Sequence, residues 1–488
     1  MGDTPFFYFI YMSQNHMEKG TDMERLIELI RTLNDWLNRF AWGPATIFLL
    51  ALAGLLFSVG TGFFQLHRWK TWLAATLGAA LKGGQSGDGK GISAFQSACT
   101  ALAATLGTGN IAGVATALAA GGPGAIFWMW LSALLGTMTA YAENVLAGLY
   151  RGKNSRGEPV GGAMFYIEQG LHSRALAVLF AFFCTLGSLG MGNMAQANSI
   201  ASGMQDSFGV PPLVTGLVVA GAIAFTIVGG IKRVGRVTEK IVPVMAIGYT
   251  VGAVAIIAAN WRSLPAVTAL IFEEAFSVRA GLGGAAGYGV ARALRVGVAR
   301  GVCSNEAGLG SSVMANSASG GTPVGQGMWG IFEVAVDTLF MCTLTGFSIL
   351  CSGAYDPARY AAALGTPGFD ALPNGAALTS NAFRQVFGPF GGAFVAVSLV
   401  LFAFSTLLGW SFYGAQAVEY LWGPRACGIY KAVFVVVIVI GCVAKLELVW
   451  QISDTFNGLM ALPNLLAILW LSPKVFRETK KAFAKRKK

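Results

Sequence analysis

ATLGTGNIAGV, residues 104–114, decides how this chain is read. Its residues are small, uncharged and apolar enough for hydrocarbon, yet Thr105, Gly107, Thr108, Gly109 and Asn110 interrupt any regular packing stripe. Polar groups at mid-membrane depth are costly, so an amide and two hydroxyls there need a ligand. Gly107 and Gly109 permit the helix to unwind, which frees backbone carbonyls and amides. Carbonyls and the hydroxyls of Thr105 and Thr108 are hard oxygen ligands for a small cation, whereas half-helix amides suit a carboxylate. Asn110 can serve either as donor or as acceptor. The two needs together describe a zwitterionic amino acid beside a cation.

The rest of the chain supports a membrane setting. Of the 488 residues, 55% are hydrophobic and 12% charged, with a mean hydropathy of +0.60; a water-soluble chain carries roughly twice that charge density. Apolar runs of bilayer-spanning length recur near 44–66, 96–117, 124–149, 174–203, 211–230, 237–259, 297–318, 326–350, 390–413, 430–445 and 451–471. The expectation is therefore an all-α integral membrane protein with about eleven transmembrane helices. The first 40 residues lack the basic-then-apolar order of a cleaved signal peptide, and MERLIELIRTLNDWL at 23–37 reads as an amphipathic surface helix. The net charge of +11 is densest in KVFRETKKAFAKRKK at 474–488, a cytoplasmic anchor on anionic lipid rather than a nucleic-acid patch. Eleven crossings then place the N-terminus outside. Loops with Arg68, Lys70, Lys82 and Lys90, then Arg151, Lys153 and Arg156, then Lys232, Arg233 and Arg236, fall on the tail's side; 118–123 and 204–210 carry no Lys or Arg. Arg292, Arg295 and Arg300 are a misfit that makes the boundary of the seventh span suspect.

Without the first span, ten remain, two fives. The first of each five is Gly-rich and polar at its middle: TLGTGN within 96–117 and SNEAGLG within about 297–318. Matching interrupted spans in two halves point to a midplane site in a five-plus-five inverted-repeat core with two broken helices. Small residues also allow close helix packing, but packing alone does not call for Asn110, Asn305 and Glu306 in hydrocarbon. This divides the chain into an N-terminal extension (1–43), a transporter domain (44–473, repeats about 96–260 and 297–471) and the basic tail (474–488).

Further candidates follow from type and spacing. In ARGVCSNEAGLGSS at 299–312, Gly308 and Gly310 permit the second break and Asn305 can bond across it. Glu306 is a membrane-level acid open to pairing, with Arg300 as one partner, to holding a cation, or to protonation. In FAFSTLLGWSFYG at 402–414, Ser405 and Thr406 are adjacent hydroxyls that either bond their own helix or face the site, and Trp410, four residues beyond Thr406, could wall a cavity. In LGSLGMGNMAQANSI, Asn193 and Gln196 are three apart and either face one polar pocket, with Met191 beside it, or hydrogen-bond to a neighbouring helix. Glu333 and Asp337 are internal acids of open role.

Enzyme chemistry finds no support. His16, His67 and His172 are far apart, seven cysteines are scattered without CxxC spacing, and SGDGKG at 86–91 lacks the phosphate-loop pattern. No cofactor is expected beyond a transported ion.

GGPGAIFWMWLSALLG at 121–136 resembles the signature of the alanine or glycine:cation symporter family, and SGDGKGISAFQSACTALAATLGTGNIAGVA, GNMAQANSI, GGIKRVGRVTEKIVPVMA, RGVCSNEAGLGS, AFSTLLGWSFYGAQ and LPNLLAILWLS resemble family segments in the expected order. The resemblance covers about 44–473. It implies a bacterial or archaeal inner-membrane carrier, similar to the amino-acid, polyamine and organocation superfamily with its five-plus-five core. It further implies that the broken first and sixth core helices hold the substrate, and that sodium sits between Thr105 or its neighbouring carbonyls and the hydroxyls of Ser405 and Thr406. Cys303 stands where the family's motif carries a bulkier aromatic. The expected function is sodium-driven uptake of alanine or glycine, with substrate-binding candidates Thr105, Gly107, Thr108, Gly109, Asn110, Asn193, Gln196, Asn305 and Trp410 and sodium ligands Thr105, Thr108, Ser405 and Thr406. Proton coupling is the alternative; an ion channel or a non-transporting amino-acid sensor stands further off.

Overall fold

The computed structural model describes residues 22–81, 92–154, 157, 159–276, 286–319, 321–369, 371–444 and 447–484. The segment 1–21, the linker at 86–91 and the last four residues of the tail lie outside the described residues. The regular elements described are helices, apart from a two-residue antiparallel pairing of Gly152–Lys153 with Pro159–Val160 and an isolated parallel bridge between Ile92 and Ser319. Among the described residues, eight helices are long and apolar enough to cross a membrane, and a ninth span results if the bent pair Ala94–Thr105 and Gly109–Gly121 is taken as one.

This is fewer than eleven for two physical reasons. Pro212–Val228 is apolar but has only 17 residues, about 26 Å of helix against a core of about 30 Å. The expected span at 297–318 is divided: helix Ala286–Asn305 carries three arginines, Val313–Ser317 is a short second piece, and irregular backbone joins them. The arginine misfit marks that division.

Local sequence explains the elements that frame the centre. Helix Ala94–Thr105 starts at a reciprocal cap: Ser93 Oγ accepts from the Gln96 amide at 3.0 Å and Gln96 Oε1 accepts from the Ser93 amide at 3.2 Å. Its far end stops where Leu106 adopts φ −72° and ψ 80°, and the chain resumes as a π-turn at Gly109–Gly113 bent by 46°. Helix Pro389–Trp422, 34 residues from an N-terminal proline, runs past this break.

Packing pairs the two halves. Gly124–Leu149 lies against Pro323–Val334, Ala195–Phe208 against Pro389–Trp422, and Pro212–Val228 against Ala426–Val443, while Ala94–Thr105 touches Val313–Ser317. Large apolar side chains such as Phe225, Val228, Ile429 and Trp470 face outward, as a hydrocarbon solvent allows. The interior instead buries Asn110, Glu143, Asn193, Asp337, Ser405 and Asn464 completely, the inversion expected where polar residues line a path or a site. Helix Asp22–Ala41 leads into Pro44–Gly60, and the pair is anchored by Asn38 Nδ2 donating to Thr455 Oγ1 at 3.2 Å and Trp42 Nε1 to the Asp454 carbonyl at 2.9 Å.

Candidate functional site

The first break is held open by side chains. The Gly107 amide donates to Asn110 Oδ1 at 3.0 Å and the Thr108 amide to Gln196 Oε1 at 3.3 Å, so two amides that have left the helix ladder are met by side-chain oxygens. Thr108 Oγ1 is buried and has no hydrogen-bond partner among the described residues, a hydroxyl available to a ligand. Thr105 Oγ1 turns back to the carbonyls of Ala101 and Leu102 at 3.3 and 3.4 Å.

The paired hydroxyls of Pro389–Trp422 meet this helix just before its break. Ser405 Oγ and Thr406 Oγ1 both donate to the Ala103 carbonyl, at 3.2 and 3.1 Å, and both also reach the Phe402 carbonyl of their own helix, at 2.8 and 3.1 Å. Two hydroxyl hydrogens are shared between two carbonyls, so four oxygens converge here and each hydroxyl keeps its own lone pairs free to accept or coordinate. Gly107 allows the approach: a Cβ there would lie 2.5 Å from Thr406 Oγ1 and 3.4 Å from Gln196 Oε1. Hydroxyls and a main-chain carbonyl so placed can turn oxygen toward a small hard cation.

The second break is built on left-handed backbone. Glu306, Gly308 and Gly310 have φ of 58°, 92° and 72°, costly for glutamate and free for glycine. Asn305 bridges the turn, accepting from the Ala307 amide at 3.0 Å and donating to Thr338 Oγ1 at 2.9 Å. Thr338 Oγ1 donates to Asp337 Oδ2 at 2.7 Å, and Asn110 Nδ2 donates to Asp337 Oδ1 at 2.7 Å. The Gly107 and Ala307 amides are thereby joined through Asn110, Asp337, Thr338 and Asn305. The two breaks also touch directly, with Ser304 Oγ 3.3 Å from where a Gly109 Cβ would be. Asn464 Nδ2 holds the far side, donating to the Gly308 carbonyl at 2.9 Å and to Glu143 Oε1 at 2.5 Å.

Other expected residues are placed differently. Glu306 does not pair with Arg300: it accepts from Ser311 Oγ at 2.5 Å, while Arg300 binds Asp454 at 2.5 Å. Asn193 and Gln196 make different contacts, and Asn193 takes the interhelical reading, its Oδ1 left buried with no hydrogen-bond partner among the described residues. Gln196 faces the first break, but Asn193 Nδ2 donates to the Phe434 carbonyl at 2.7 Å, because a π-turn at Gly190–Met194 shifts the three-residue spacing of an α-helix. Trp410 is buried against Gly192 and Tyr413, and Cys303 packs half-buried beside the central core. Asp337, an acid of open role in the sequence, and Thr338, which no pattern singles out, sit at the centre. Their one signal in sequence is an acid in an apolar span; the π-turn at Ala335–Cys342 that presents them has none.

Two broken elements joined in the buried centre of the helices, with ligand-capable oxygens and buried acids, define a secondary transporter of the multi-pass membrane class. The chain belongs to the sodium:alanine symporter family, whose model matches residues 27–488. It is 43% identical over 93% of its length to 96% of the sodium/alanine symporter AgcS of Methanococcus maripaludis, and 41% identical over 94% to 97% of an uncharacterized transporter of Haemophilus influenzae. It is 37% identical over 94% to 91% of the probable sodium/glutamine symporter GlnT of Bacillus subtilis. The protein is accordingly a carrier and not an enzyme, moving an amino acid or similar small solute together with a cation.

Proposed function

We propose that the protein takes up a small neutral amino acid, alanine or glycine, with inward-moving sodium. The observation that carries this reading is the convergence of Ser405 and Thr406 on the Ala103 carbonyl beside Gly107. Sodium sits among these oxygens and the carbonyls at the break, with Thr105 and Thr108 near. The substrate carboxylate replaces Asn110 and Gln196 as acceptor for the amides of Gly107 and Thr108, and its ammonium docks on freed carbonyls near Asn305 in the field of Asp337. Trp410 and Met191 limit the space beside it. Ordering the break for sodium lowers the cost of ordering it for the amino acid, which is the coupling.

The order of packing supports a five-plus-five inverted repeat, since second, third and fourth members of each half meet their counterparts. In that reading the protein lies in an inner membrane with the N-terminus outside, the 474–488 tail on cytoplasmic anionic lipid, and repeats near 96–260 and 297–471. One methylene alters pocket binding by about 1–3 kcal/mol, so the relative named for glutamine makes side-chain size a matter for measurement. The deciding experiment is labelled alanine uptake into proteoliposomes under an imposed inward sodium gradient. Saturable uptake that vanishes without sodium is expected. Uptake following a pH gradient and indifferent to sodium overturns the ion; current without saturable amino-acid flux, or binding without flux, overturns the carrier.

A further inference from the structure

Glu333 lies away from the cluster at Ser405 and Thr406, on helix Pro323–Val334, where it meets Val313–Ser317 of the second broken element through Asn316. It is 2% exposed, and its two oxygens are each 3.1 Å from one donor, Asn316 Nδ2. The same nitrogen is 2.9 Å from Asn144 Oδ1. A primary amide has two hydrogens, so three oxygens gathered on it are one hydrogen short. The Asn144 amide is spent on the Ala140 carbonyl, and the Ser97 hydroxyl goes to the Ala315 carbonyl at 2.8 Å and only grazes Asn316 Oδ1 at 3.3 Å.

No basic group makes up the deficit among the described residues. On helix Pro323–Val334 and its π-turn the other acid is Asp337, already held by Asn110 and Thr338. The other titratable groups on the packed elements, Tyr141 and Glu143 on Gly124–Leu149, Cys99 on Ala94–Thr105, Cys342 on the π-turn and Glu478 on Ser472–Ala484, are not cations. Lys70 on Trp69–Ala75 and Lys474, Arg477, Lys480 and Lys481 on Ser472–Ala484 belong to helices packed against this one, but all five side chains are exposed. A carboxylate with one shared donor and no counter-charge is not a stable occupant of a dry core.

The geometry points to a second monovalent-cation site at Glu333, Asn144 and Asn316, taking a proton or a sodium ion and closing the inner ends of the two broken elements together. Closure follows from position: Asn316 is on Val313–Ser317, whose Ala315 carbonyl is the acceptor for Ser97 on Ala94–Thr105. A cation on Glu333 fixes Asn316, and with it this contact; its loss frees both. The inference rests on cation coupling by the family but not on alanine as substrate or on sodium at Thr406.

The test is therefore made without amino acid, by melting the purified full-length protein in detergent. Two titrations separate the occupants: sodium against choline at pH 9, and pH 9 to 5 in choline. The wild type should gain stability in at least one of them. Glu333→Gln supplies the missing hydrogens without a charge, so it should melt no lower than wild type at pH 9 in choline and lose at least half of the gain. Thr406→Ala should keep the gain that Glu333→Gln loses. A Glu333→Gln protein that melts as wild type and responds fully to both titrations overturns the site. One that fails to fold is replaced by Asn144→Leu, which removes one oxygen and must weaken the same response for the proposal to stand.

Discussion

The amide of Asn110 donates to the carboxylate of Asp337 at 2.7 Å across 227 positions of sequence. It is the junction of a chain of hydrogen bonds from Gly107, in the first break, to Ala307, in the second. Residues of one network do not act independently. Asn110→Ala and Asn305→Ala, which remove one member on each side of Asp337 and Thr338, should show a coupling of about 0.5–3 kcal/mol in a double-mutant cycle on detergent melts. Strict additivity would mean that the breaks are only neighbours.

How much of the fold and site is legible in the sequence follows from the kind of signal involved. Both breaks are visible because glycine and amide groups weaken a helix in hydrocarbon unless something binds there, and Thr406 is visible as one of a hydroxyl pair at mid-span. Asp337 is visible as a cost but not as a junction, since its partner Asn110 comes from 227 positions away. Proximity in sequence pairs Arg300 with Glu306; the fold brings Asp454 to it instead, on a helix whose contact with Ala286–Asn305 no local pattern encodes. Asn193 escapes a helical reading because a π-turn adds a residue to one turn and rotates everything after it.

Thr406→Ala removes one oxygen from the proposed sodium cluster and leaves Ser405 and Ala103. A contact to a charge is worth about 1.5–3 kcal/mol, so the sodium concentration for half-maximal uptake should rise by roughly ten-fold or more. Thr406→Ser should restore it. An unchanged sodium requirement in Thr406→Ala proteoliposomes removes Thr406 from the ligands.

Gly107→Ala tests the close approach rather than the ligand. Its methyl would sit 2.5 Å from Thr406 Oγ1, and overpacking of this kind costs about 1–3 kcal/mol. Melting should fall by that amount and uptake should be lost. Adding Thr406→Ala, which deletes the atom in the way, should recover the melt without recovering uptake. If the single variant melts as wild type and transports, the break is wider than the geometry states.

The pair Arg300 and Asp454 ties the first half of the second broken element, Ala286–Asn305, to helix Glu447–Trp470, with side chains 26% and 13% exposed. Neither is in open solvent, so each variant leaves an under-satisfied charge: Arg300→Ala or Asp454→Ala should cost about 1.5–3 kcal/mol. The double variant should cost less than the sum, because the stranded partner goes too. Glu306, the other acid within reach by sequence, provides the contrast. It shares no hydrogen bond or ion pair with Arg300 and is held by Ser311, so a cycle of Arg300→Ala with Glu306→Gln should be additive within about 0.5 kcal/mol. A strong Arg300–Glu306 coupling with none between Arg300 and Asp454 would reverse the assignment of partners, and would place a counter-charge at the second break.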